Sequence, residues 1–114
     1  MTIPLQISAL INRVDAELNQ LEQEIQEVLQ ILRPLLNTFS DNGILIQLFV
    51  TLNNFQFFGS TRRQRVENIA NQISSDASGD VIQEAGEELA TFLGEILEAR
   101  TNVNNIMRRL QTLL

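Results

Sequence analysis

From Ile7 onward the apolar residues fall at Ile7, Ile11, Val14, Leu18, Leu21, Ile25, Val28, Leu32 and Leu35, in steps that alternate between four and three residues. This spacing keeps one stripe of a helix oily along its whole length, so it predicts a long helix packed against at least one other helix. Thr2 and Pro4 mark its start, because proline is tolerated in a first turn whose N–H has no partner in any case. Pro34 lies inside the pattern, and its missing N–H and bulky ring predict a kink or an end near residues 33–36.

The pattern returns at Ile82, Ala85, Leu89, Phe92, Ile96, Ala99, Val103, Ile106, Leu110 and Leu113. Asp80 followed by Gln83 resembles a capping box, and acids precede Arg100, Arg108 and Arg109 along this segment, an order that suits the helix dipole.

The stretch between the two seams is less regular. Ser40 to Gly43 forms a turn cluster, Ile44 to Phe58 an apolar run, and Gly59 with Ser60 a second break. Val66, Ile69, Ala70 and Ile73 then share a helical face, with Thr61 and Gln64 placed to cap it, and Ser74 to Gly79 read as a loop. The run 44–58 fits a short helix or a hairpin turning at Asn53 and Asn54. Helix is the better reading, since a lone hairpin among helices leaves strand edges unpaired.

These elements predict an all-α, four-helix protein: two long antiparallel heptad-patterned helices (about 4–36 and 80–113) capped at one end by two short helices (about 44–57 and 61–74). The antiparallel choice rests on charge. Asp15, Glu17, Glu22 and Glu24 flank the middle of the first seam and the arginines flank the end of the last, so opposite directions bring acid to base. Residues 1–114 then form one domain from which the start of the first helix and the end of the last project as a two-helix stalk. Gly86, Ala90 and Gly94, spaced by four, suggest a small-residue groove that a helix or a ring from the Phe residues fills.

Composition narrows the chemistry. There is no His, Cys, Trp or Tyr, and all eight basic residues are Arg. The chain therefore lacks a side chain that titrates near neutrality unperturbed, a thiolate nucleophile and a Schiff-base amine, and it has no ligands for imidazole or thiolate metal sites. No enzymatic activity and no cofactor are expected. The net charge of −6 disfavours nonspecific binding to nucleic acid and to anionic membranes. The most apolar stretch, 44–52, falls short of the ~20 residues of a spanning helix, and the first ten residues lack the pattern of a signal peptide. A cytoplasmic protein with no membrane and no nucleic-acid partner is the expectation.

Three surfaces remain as candidates. Arg62, Arg63 and Arg65 make the one dense basic patch, a possible anion contact, although a solubilising turn paired with nearby acids is the simpler account. Phe49, Phe55, Phe57 and Phe58 read most simply as core, or else as a pocket for a small apolar ligand. Leu5, Leu10, Met107, Leu113 and Leu114 lie on or beside the seam near the expected stalk tip, where a second copy would cover them. The carboxylates of residues 15–27 and of Glu84, Glu87 and Glu88 read as solvated or intrabundle charge. Heptads are a generic physical pattern without family identity. The sequence thus points to a non-enzymatic interaction or assembly module that self-associates, with a dimer favoured. The alternatives are an apolar-ligand binder at the Phe cluster and an adaptor for an anionic partner through the three arginines.

Overall fold

A heptad seam buries itself only when another helix lies along it, and both predicted seams do so. In a computed structural model, which describes residues 3–75 and 78–114, the chain folds into α1 (Leu5–Thr38), α2 (Gly43–Ser75) and α3 (Gly79–Leu113). No strand occurs among the described residues. The buried side chains of α1 are seam positions from Ile7 to Leu32 joined by Glu24 and Leu29, and those of α3 run from Ala85 to Leu110 along its seam. At 1.5 Å per residue each helix is about 50 Å long, which accounts for a molecule of 55 × 19 × 17 Å.

The helix count differs from expectation. The two short helices at 44–57 and 61–74 are one continuous helix, and the bundle has three helices, not four. Gly59 and Ser60 do not break α2, and no glycine among the described residues has a positive φ. The reason lies in a third heptad seam. Leu45, Leu48, Leu52, Phe55, Gly59, Arg62, Val66, Ile69 and Ile73 follow one another in steps of three and four, with a glycine and an arginine occupying two of the apolar positions. Leu45, Leu48, Leu52, Val66, Ile69 and Ile73 are buried, and a Cβ at Gly59 would sit 3.9 Å from the side chain of Leu21. Tertiary contact along the seam overrides the local breaker signal. Thr61 does not cap a new helix; its hydroxyl donates to the carbonyl of Phe58 within α2 (2.8 Å).

Helix number also sets direction. Connections of a few residues make consecutive helices antiparallel, so with three helices the first and last point the same way. Ile7 near the start of α1 meets Gly86 near the start of α3, and Arg100 reaches Glu17 and Glu24 midway along α1. The expected antiparallel pairing of α1 with α3 is therefore reversed, and α2 alone runs against both. Because α2 extends from Leu45, near the end of α1, to Ile73, near its start, no two-helix stalk is left bare. Matching acids to bases between α1 and α3 alone misleads, because it omits α2, whose arginines meet the acids of α3.

The ends show the remaining local differences. α1 continues through Pro34 to Thr38, beyond the expected end, and Pro34 lies on the exposed face. The hydroxyl of Thr38 donates to the Pro34 carbonyl. Asn42 caps α2: its Oδ1 accepts from the N–H of Ile44 (3.0 Å) and of Leu45 (3.1 Å), two of the orphan donors of a first turn. Ser78 holds the N-cap position of α3, so Asp80 sits inside the first turn and is not the cap residue. The expected role of Thr2, and residues 76–77 of the second loop, lie outside the described residues. The small-residue groove is not filled: Gly86 meets Ile7, with 3.4 Å available to a Cβ, whereas Ala90 is exposed and a Cβ at Gly94 would meet open space.

Candidate interaction surfaces

Each arginine of the basic patch is held by an acid or amide of another helix. Arg62 donates to Glu95 (3.0 Å) and lies between the rings of Phe58 and Phe92, 4.9 and 5.0 Å from their centroids. Its Nε is buried without a hydrogen-bond partner. Arg63 donates to Asn19 (2.9 Å) and Glu22 (3.4 Å). Arg65 grips Glu88 with both ends of its fork, at 2.6 and 2.8 Å. That bidentate bond raises the Arg65 pKa and lowers that of Glu88. These side chains tie α2 to α1 on one side and to α3 on the other, an arrangement that neutralises the patch within the chain.

The acids of α1 are drawn in the same way. Glu17 and Glu24 both accept from Arg100 of α3, and Arg13 reaches Glu17 from one turn away. The bonds to Glu24 and then to Glu17 hold the Arg100 guanidinium more firmly charged than usual. Glu24 is the one buried charged residue among those described, and its second carboxylate oxygen has no hydrogen-bond partner. Among the described residues no group of three or more acidic side chains is placed to hold a metal ion.

The four clustered phenylalanines do not share an environment, because their spacing sends them around the helix. Phe49, Phe55 and Phe58 pack half-buried against the core, while Phe57 is 73% exposed. A cleft of about 440 Å³ opens between α1 and α2, where Gly59 supplies no side chain; Leu21 and Ile25 lie beside it, with Phe55, Phe57, Glu22 and Arg63 around it. A second of about 510 Å³ lies between α2 and α3, lined by Leu48, Phe55 and Ile106 together with Arg109 and amides.

The five apolar residues assigned to a stalk tip are separated by the parallel arrangement of α1 and α3. Leu5 and Leu10 belong to one end of the bundle; Met107, Leu113 and Leu114 belong to the other. Leu10 and Met107 pack against the core, whereas Leu5, Leu113 and Leu114 are exposed. The surface missed in the sequence is the outer face of α2, where Ile46, Val50 and Phe57 point to solvent. Its signal was present as a second apolar periodicity half a turn out of phase with the core seam, merged with it into one unbroken apolar run.

No helix among the described residues is long and apolar enough to cross a membrane. No family model, curated protein or solved structure matches the chain.

Proposed function

We propose that this protein is a non-enzymatic assembly module that self-associates through helix packing, with a dimer as the basic unit. The observation that supports this reading is the surplus of apolar surface. One continuous core already joins α1, α2 and α3, yet Phe39, Ile44, Ile46, Val50 and Phe57 stay between 44 and 73% exposed around one loop and the first half of α2. Apolar side chains gathered in one region mark a surface that another molecule covers. The residue inventory, without His, Cys or Lys, supports the non-enzymatic part. Sedimentation of the full chain across a range of micromolar concentrations tests the reading: a mass that rises toward twice the chain mass is expected, and a strict monomer throughout overturns it.

A second reading is favoured by the cleft beside Gly59. Its volume falls within the roughly 300–1,000 Å³ of small-molecule sites, and Leu21, Ile25, Phe55 and Phe57 offer apolar contact. Titration with an anilinonaphthalene fluorophore tests it, with Gly59→Val as the variant that intrudes on the cleft. A fluorescence gain unaffected by Gly59→Val removes this reading. The adaptor role for Arg62, Arg63 and Arg65 is not adopted, because all three already face carboxylates of their own chain.

A further inference from the structure

α2 has two heptad seams, and α1 and α3 cover only one of them. At 100° per residue, Ile46, Val50, Asn53, Phe57, Ser60 and Gln64 recur in steps of four and three on the side opposite the buried seam. Ile46 is 44% exposed, Val50 51% and Phe57 73%, and Asn53, Ser60 and Gln64 are exposed as well. This is the spacing that packs one helix along another; Phe57 and Ser60 border the cleft beside α1, and Ile46 and Val50 lie on the exposed side of α2.

Charge indicates what covers it. Between Asp41 and Arg62 the chain has no Asp, Glu, Lys or Arg, although its net charge is −6. The arginines that follow are turned to the flanks of α2 and paired with α1 and α3. Over residues 42–61 a like-charged molecule can thus approach closely without like charges being forced together. An anionic membrane would need unpaired basic residues beside the apolar stripe; residues 42–61 have none, and Arg63 and Arg65 beyond them are paired with Glu22 and Glu88. A straight seam of heptad spacing is also self-complementary, as a two-fold interface requires.

We infer that a second copy of this chain docks here, α2 against α2, with Ile46, Val50 and Phe57 supplying the apolar half of the contact. The inference rests on the self-association reading and names its surface. Area sets the strength. A stable interface removes at least about 1,200 Å² of surface in total, more than three side chains per copy provide, so the seam must also engage along Ser60 and Gln64. A contact that is apolar for one half and polar for the other gives a dimer that dissociates on dilution. Asn53, a polar residue within the apolar half, sets register at a cost in affinity.

Sedimentation of the wild type, of Ile46→Glu with Phe57→Glu, and of a control carrying Leu5→Glu with Leu113→Glu tests the surface, with circular dichroism to establish that each variant is folded. The expected result is a wild-type dimer, a control that dimerises equally, and an Ile46/Phe57 variant whose dissociation constant rises at least a hundredfold. Asn53→Ile should tighten the dimer about tenfold, and it supplies an answer even if the charged variant does not fold. A dimer that survives Ile46→Glu with Phe57→Glu, or one that Asn53→Ile leaves unchanged, overturns this surface while self-association stands. A wild type that stays monomeric overturns both. A monomer that sediments with phosphatidylcholine vesicles, and loses this with Phe57→Glu, assigns the face to lipid instead.

Discussion

Arg100 is the residue on which the contact between α1 and α3 is most exposed to change. It serves Glu17 and Glu24 together, and Glu24 keeps only 8% of its surface in water. Removing the guanidinium leaves a buried carboxylate without a counter-charge, which in a fully buried pair costs several kcal/mol. Since 26% of the Arg100 side chain is solvent-exposed, Arg100→Ala should destabilise by about 2 kcal/mol, read from urea unfolding. Replacing Glu17, Glu24 and Arg100 together by Met, Leu and Leu should recover most of that loss, because it removes the desolvation penalty with the attraction. If the triple variant is no more stable than Arg100→Ala, the cluster contributes more than charge balance. Glu88 contributes a pH dependence. Its pKa is lowered first by the hydrogen bond from Arg65, so its contribution is complete above the ordinary glutamate value of about 4.3 and disappears as pH falls through the lower folded value. Glu88→Gln should therefore flatten the decline of melting temperature in acid below pH ~4; an unchanged acid slope would show that other carboxylates govern it.

At the scale of the element, the glycines inside α2 and α3 mark where stability can be gained. Gly59 sits in a helix interior with room for a methyl group against Leu21, and at Gly94 of α3 an added Cβ would have no neighbour within 4 Å. Gly59→Ala and Gly94→Ala should each stabilise by roughly 0.5–1 kcal/mol, seen as a rise in melting temperature. Gly86→Ala should gain less, because its Cβ meets Ile7 at 3.4 Å. Destabilisation by Gly59→Ala would mean that α2 does break there. Asn42→Ala should cost about 1 kcal/mol through loss of the cap. The seams of α1 and α3 were legible because Val, Leu, Ile, Phe and Ala occupy nearly all their core positions. That of α2 was obscured: Gly59 looked like a break and Arg62 like surface charge, yet one lies against Leu21 and the other between two rings. The same disguise hid the outer stripe, since Ile46, Val50 and Phe57 interleave with the core residues Leu45, Leu48 and Leu52.

For the whole molecule, one helix fewer reverses the relation of the first helix to the last. The absence of cysteine allows this to be tested with two introduced labelling sites. Dyes at Gln6 and Gln83 should transfer energy more efficiently than dyes at Gln6 and Gln111, which lie toward opposite ends of a 55 Å molecule. The opposite order would restore the antiparallel arrangement. Direction also decides which surfaces exist. With α1 and α3 parallel, Leu5 and Leu113 lie at opposite ends of the molecule, and Ile46, Val50 and Phe57 leave an exposed apolar stripe on the outer face of α2.

The amphipathic stripes of α1 and α3, an all-helical chain and the narrow range of available chemistry follow from residue order, because heptad spacing and the lack of His, Cys and Lys are properties of the chain before it folds. Helix number, helix direction and the pairing of Arg62, Arg63, Arg65 and Arg100 were settled only by packing. Those depend on whether a glycine and an arginine at seam positions are accepted by the neighbouring helices, which Leu21, Phe92 and Glu95 determine from distant parts of the chain.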